Sequence, residues 1–341
     1  MIVKPHSTPV YIHKLEALLR RLPPDHHKRT HIKEVLAKRM AGYRGELSID
    51  YPLSFLAEED YFIFHDIRLY DGTHYFQIDT LILSKWFILV LEVKNIAGKI
   101  FFDSHFHQLI RTLDEKEEAF PDPILQVERQ CFQFNKWLQL NKFPFIPVEP
   151  LVIFTSPRAI LRTLPDNQHI FEIVILNAKL PAQTETLRKI HQKEMYTSKL
   201  IQKLSRRIVK EHCPADVNIL QQFTISQKEL VKGVFCPACS ASLMQRGRGR
   251  WICRKCSVFS KDAHIESLDD YNLLINQSIT NKELRNFLNL SSIHIASKLL
   301  KSLNLPVTGE TRKRSYNLKS IKKSTRQQSG CKNENKIENE L

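Results

Sequence analysis

The sequence predicts an α/β protein: a mixed sheet flanked by helices, followed by a small cysteine module and a helical hairpin. Three observations lead there. Runs of β-branched and aromatic residues alternate with helical periodicities through the first two-thirds of the chain. Two CxxC units then lie close together, at Cys236/Cys239 and Cys253/Cys256. Finally, two amphipathic segments flank the turn Asn289-Leu290-Ser291-Ser292.

The elements follow in order. Residues 10–22 have helical spacing that Pro23-Pro24 ends, and a second helix is expected over about 28–41. Strands are expected at about 60–70, 75–83, 86–94 and 98–103, with Ser84-Lys85 as a tight turn between the second and third. Pro123 opens a helix reaching Asn141, because proline suits a first helical turn. Buried strands are expected at 151–154 and 170–176, and a long basic helix at about 183–211. The expected organisation is a helical segment over 1–41, the α/β domain over 42–211 and a linker over 212–230. A cysteine module over 231–262, a helical module over 263–318 and a basic, polar, disordered tail over 319–341 complete it.

Composition narrows the function classes. The 341 residues carry a formal charge of +15, so a polyanionic partner is expected, the plain alternative being a basic protein with no such partner. No apolar run reaches the ~18 residues of a membrane helix, and the first residues lack a signal-peptide core, so no membrane association and a cytoplasmic location are expected. Four of the seven cysteines sit in CxxC pairs, which fits metal binding in a reducing compartment; Cys131 and Cys213 read as buried thiols.

The chemistry concentrates in Ile78-Asp79-Thr80 and Glu92-Val93-Lys94, on or beside two strand-like runs. Charges inside buried strands are costly, so three at strand ends point to a site. Asp79 and Glu92 can hold a divalent cation through oxygen, and Lys94 projects from the same strand face as Glu92. This is the chemistry of metal-assisted phosphodiester cleavage. The plainer reading is a structural ion pair of strand-end charges. Asp71-Gly72 reads as a turn, which leaves Asp71 and the nearby Asp66 outside the candidate set. His105 and His107 read as exposed residues of a strand, and His26, His27 and His31 as a solvated face.

With those residues in view, about 42–155 resembles the nuclease-related domain (NERD) family of the PD-(D/E)XK superfamily. The resemblance rests on Gly45-Glu46, Ile78-Asp79, Glu92-Val93-Lys94-Asn95 with Gly98-Lys99-Ile100, and Pro123-Ile124-Leu125-Gln126. It implies a restriction-endonuclease-like sheet, a site of Glu46, Asp79, Glu92, Lys94 and Gln126, and Mg²⁺ or Mn²⁺ on Asp79 and Glu92. Glu46 is then a direct or water-mediated ligand, and Gln126 a partner of Lys94 or of the substrate phosphate.

The two CxxC units, 13 residues apart, predict a Cys₄ site for structural Zn²⁺, closed and therefore not catalytic. A doubled motif argues against a redox pair. Between them, Arg246, Arg248 and Arg250 on a glycine-rich tip beside Trp251 are candidates for phosphate contact and base stacking. The segments at about 280–303 resemble a helix-turn-helix, with 305–318 as a winged extension. Its second helix offers Ser292, His294, Ser297 and Lys298, and the extension Arg312, Lys313 and Arg314. The expected function is a metal-dependent endonuclease acting on nucleic acid, DNA above RNA. The alternatives are a non-catalytic nucleic-acid-binding protein on the same scaffold and a regulatory factor whose zinc module contacts a protein.

Overall fold

Residues with strong β preference and no polar interruption make the centre of a sheet, and the computed structural model puts Ile88–Leu91 there. It describes residues 1–165, 167–240, 242–310 and 314–321. The chain divides into two units, Met1–Val10 with Val35–Asp216, and Tyr11–Glu34 with Val217–Leu341.

The chain opens with β1 (Ile2–Lys4), α1 (Val10–Arg21), α2 (Arg29–Leu47) and the single turn α3 (Asp50–Leu53). A meander follows: β2 (Phe62–Tyr70), β3 (Tyr75–Leu83) and β4 (Ile88–Lys94). Next come β5 (Gly98–Asp103), β6 (Gln108–Leu113), β7 (Lys116–Pro121), α4 (Pro123–Leu140), β8 (Val148–Phe154) and β9 (Ala159–Thr163). The first unit ends with α5 (Ile170–Ile173), β10 (Val174–Leu176), α6 (Leu180–Ile190) and α7 (Ser198–Glu211).

The main sheet runs β1-β2-β3-β4-β8-β10, and a second runs β7-β6-β5-β9. Within the main sheet β2, β3 and β4 are antiparallel neighbours, while β8 pairs parallel to β4. Both faces are buried. Ile88 and Val90 join a core with Phe134 and Trp137 of α4 and Leu204 of α7. Leu89 and Leu91 join the opposite core with Leu53 of α3 and Leu187 beyond it. A strand covered on both sides reads as a continuous apolar run, as this one does.

Several expectations are corrected. The helix expected over 28–41 continues to Leu47, through Gly42 and Gly45. The turn between β3 and β4 has four residues, because Ser84 Oγ donates to Phe87 O at 2.6 Å and holds Trp86 and Phe87 out of the strand. The apolar run 170–176 is one helical turn followed by a short strand; so short a run carries no decisive period. The basic helix over 183–211 is two helices. Between them Met195 and Tyr196 donate their N–H groups to Lys85 O at 2.8 and 3.0 Å, and Thr197 caps α7. His105 and His107 stand in a turn, His107 with φ 51°, rather than in a strand. β6, β7 and β9 were not anticipated; their hairpin turns on Asp114 and Glu115, both at positive φ, without the Asn-Gly signal such turns usually carry.

In the second unit α8 (Ile219–Gln222) precedes four short strands, β11 (Val234–Phe235), β12 (Leu243–Arg246), β13 (Trp251–Ile252) and β14 (Phe259–Ser260), paired in that order. Then follow α9 (His264–Leu274), β15 (Ser278–Thr280), α10 (Asn281–Leu288), α11 (Ile293–Ser302), β16 (Val307–Thr308) and β17 (Ser315–Asn317). The last three strands form a sheet in the order β15-β17-β16. Thr280 and Ser292 cap α10 and α11 through their hydroxyls. One core joins Val234, Met244 and Trp251 to Leu268, Leu284, Phe287 and Leu300, so the cysteine module and the helices are not independent.

α1 supplies the charged centre of this unit. Arg21 and Asp270 are each 1% exposed, and Arg21 Nε donates to Asp270 Oδ2 at 2.7 Å. Arg21 Nη1 donates to Gly233 O at 2.7 Å, and the guanidinium stacks between Phe235 and Phe287. Arg20 holds the other Asp270 oxygen at 2.7 Å. Removing one partner strands a buried charge. Asp270→Ala is therefore expected to lower the unfolding free energy of this unit by about 3–5 kcal/mol in a urea titration, far beyond an exposed Asp→Ala change.

Candidate active site

β3 and β4 part before β4 ends. Their paired register stops at Thr80 opposite Leu91. Past that point Asp79 Oδ2 accepts the Val93 N–H at 2.9 Å, taking the place a strand carbonyl would fill. β2 is irregular at the same level: Asp66, at φ 51°, lies between the pairs His65↔Thr80 and Ile67↔Ile78. A non-glycine residue rarely holds that conformation, and Asp66 is close enough to Glu46 to act on its charge. Gln77 Nε2 donates to Asp66 Oδ1 at 2.8 Å.

Glu92 is 3% exposed, and both its oxygens are engaged. Lys94 Nζ donates to Oε1 at 2.6 Å and Gln130 Nε2 to Oε2 at 2.9 Å. Lys94 Nζ also donates to Gln126 Oε1 at 3.0 Å. α4 brings both glutamines because positions four apart share a helix face. Its start is fixed by Pro123 and by Asp122, whose Oδ1 accepts the Ile124 N–H at 2.8 Å.

Glu46 arrives through a close helix–strand contact. A Cβ on Gly45 would stand 2.5 Å from Asn95 Cβ and 3.0 Å from Thr155 Oγ1, so only glycine lets α2 lie this near the end of β4. Asn95 Nδ2 donates to Ala41 O at 2.8 Å across that contact.

The electrostatics follow from placing four carboxylates near one lysine. Burial, then Asp66 and Glu92, pushes Glu46 up to about 7, with Arg39 opposing. Burial, then Glu92 and Glu46, pushes Asp79 well above the carboxylate range, although the Val93 N–H and Lys94 oppose this. Hard oxygen donors in excess of nearby positive charge fit a divalent cation such as Mg²⁺. Gln130 Oε1 and Thr155 Oγ1 add buried oxygens without hydrogen-bond partners. Glu46, Asp79 and Glu92 do not offer oxygens all within 4.8 Å of one another.

Residues 41–155, about a third of the chain, match the model of the nuclease-related domain family (NERD). Neither the curated proteins nor the solved structures contain a match.

The four cysteines of the second unit converge as well. Cys236 and Cys256 sulfurs lie 3.5 Å apart and those of Cys239 and Cys253 3.7 Å apart, close to the ~3.8 Å edge of a tetrahedron with 2.3 Å zinc–sulfur bonds. The tip residues divide. Arg248 and Arg250 are exposed, and Arg246 stacks on Trp251 at 5.1 Å. Trp251 is corrected as a stacking platform: it is 1% exposed and donates Nε1–H to His264 Nδ1 at 3.2 Å, so it belongs to the core. On α11, His294 and Lys298 are exposed, whereas Ser297 Oγ accepts from Asn281 and Ser292 is the cap. Arg314 is exposed; Arg312, Lys313 and the tail from 322 onward lie outside the described residues. No helix among the described residues is long and apolar enough to cross a membrane.

Gln130 goes unread in the sequence and Asp66 is set aside there. A glutamine four residues after Gln126 is a usable signal, while the left-handed turn of Asp66 has none. Asp71 does hold a turn, accepting the Thr73 and His74 N–H groups at 2.8 and 2.9 Å.

A carboxyl pushed up in the folded state binds a proton more tightly there, so stability falls as pH rises from the unfolded value near 4.5 through about 7. Glu46→Gln is expected to raise the unfolding free energy by about 2 kcal/mol at pH 8 in EDTA, and by nothing measurable at pH 4. Denaturant titrations of both proteins at the two pH values check this.

Proposed function

We propose that the chain is a divalent-metal-dependent nuclease that hydrolyses phosphodiester bonds, with DNA as its substrate and Mg²⁺ or Mn²⁺ as its ion. The carrying observation is the bridge of Lys94 between Glu92 and Gln126 beside the Asp79 carboxylate. Asp79 and Glu92 would hold the ion, with Glu46 directly or through water. When bound, it polarises a phosphate oxygen and acidifies a coordinated water. The protein's own groups do the rest. Lys94 offers a fixed ammonium to the charge that develops on phosphorus, and Gln126 aims it. Gln130 fixes the carboxylate plane of Glu92. Glu46, where it holds the ion through water, is placed to accept a proton from attacking water.

The succession α2, β2, β3, β4, α4, β8, with β4 and β8 parallel, supports reading the domain as restriction-endonuclease-like. The converging sulfurs support a structural zinc ribbon. The succession α9, β15, α10, α11, β16, β17 supports a winged helix-turn-helix with α11 as the recognition helix. Arg248, Arg250, Lys298 and Arg314 are then the exposed cations that meet phosphate.

One observation favours a second reading, a nucleic-acid-binding protein that retains the scaffold without cleavage: both Glu92 oxygens already have protein partners. A single assay separates the two, using labelled duplex, branched and single-stranded DNA, and RNA, with Mg²⁺ or Mn²⁺. Nuclease function predicts divalent-dependent cleavage that Glu92→Ala and Lys94→Ala each reduce by at least ~10²-fold. Binding that survives EDTA, with no nicking of any substrate by the wild type, establishes the scaffold reading instead. Under either, Arg248→Ala with Lys298→Ala flattens the salt dependence of binding by about one logarithmic unit per lost phosphate contact.

A further inference from the structure

We propose that His6, Asp50 and His65 form a second metal site in the first unit, one that binds a divalent transition-metal ion through two imidazole nitrogens and a carboxylate oxygen. His6 Nε2 stands 3.1 Å and His65 Nε2 3.6 Å from Asp50 Oδ1. One ligand atom from each residue lies within 4.8 Å of the others. The imidazole rings are stacked, with centroids 3.6 Å apart and planes 20° from parallel.

All three atoms are buried, and none has a hydrogen-bond partner. A buried polar atom without a partner is costly and uncommon, and three that converge on one point share one explanation. A simple His6–Asp50 pair does not supply it, since their 3.1 Å approach lacks hydrogen-bond geometry and His65 stays unpartnered. An ion among them satisfies all three at once.

The surroundings suit imidazole ligation. His65 Nδ1 lies 2.9 Å from Thr80 Oγ1, and a hydrogen bond donated there leaves the Nε2 lone pair free toward Asp50. Lys4 and Asp66 are the charged groups nearest the rings, and the Lys4 ammonium is occupied by the His65 and Asp66 carbonyls at 2.6 and 2.9 Å. Two imidazoles with one carboxylate select zinc, cobalt, nickel or iron(II) over magnesium. The site draws on different ligands from the acid cluster, although His65 and Thr80 adjoin Asp66 and Asp79 in sequence. Its ion would tie the segment after β1, the first residue of α3 and the middle of β2 together.

Titrating the metal-stripped full chain with Co²⁺ tests this, in excess Mg²⁺ to keep the acid cluster out of the count. The expected stoichiometry is about two cobalt ions per chain. One shows the sulfur-to-cobalt charge-transfer absorption of the cysteine site, and the other shows weak visible bands without it. Asp50→Asn, at a side chain 43% exposed and so tolerant of change, is expected to weaken the second ion at least ~100-fold; His6→Gln removes it. Far-ultraviolet circular dichroism checks the fold of each variant. A wild type that takes up only the thiolate-bound ion, or either variant binding as the wild type does, overturns the proposal.

Discussion

Asp79 occupies a place in the sheet that belongs to a backbone carbonyl, and the geometry of the candidate site depends on that substitution. A continued ladder would close the gap between β3 and β4 with carbonyl-to-amide bonds. The carboxylate takes the Val93 N–H instead, which ends the pairing and opens a fork. Every other candidate group reaches the fork from an element that the sheet positions. Lys94 and Glu92 lie on β4, the two glutamines on α4, and Glu46 on a helix admitted by Gly45. The site is built on strands and helix ends rather than on loops, which suits chemistry that tolerates little misplacement.

The sequence disclosed the parts of the site whose signal is local. Glu92, Lys94 and Asp79 stand out because charge is conspicuous in buried strands, and Gln126 through the family resemblance of Pro123-Ile124-Leu125-Gln126. The CxxC pairs, Thr280 and Ser292 were equally plain, since ligand spacing and capping chemistry act over a few residues. What stayed hidden depends on tertiary context. The left-handed backbone at Asp66 involves a residue type with no particular requirement for it. The break before α7 rests on bonds from Met195 and Tyr196 to a carbonyl over a hundred residues earlier. Trp251 illustrates the reverse error. An aromatic beside three arginines resembles a stacking surface, but a module this small has little else with which to fill its core.

The two units show contrasting treatments of buried charge, and the contrast argues for where chemistry happens. In the second unit Arg20 and Arg21 meet Asp270 on both oxygens, while backbone carbonyls and two aromatic rings absorb the rest of the Arg21 guanidinium. Both Asp270 oxygens have guanidinium partners, so the buried charge is met from within the protein. In the first unit the balance is left open. Burial and mutual repulsion among the acids outweigh Lys94 and Arg39, and two of the acids hold their protons far more tightly than a free carboxyl would. Folding could have relieved that repulsion with one more basic side chain, as it did around Asp270. A site that instead keeps an excess of oxygen donors is stabilised by whatever cation enters it, so its electrostatic strain and its affinity for metal are the same quantity seen from two sides.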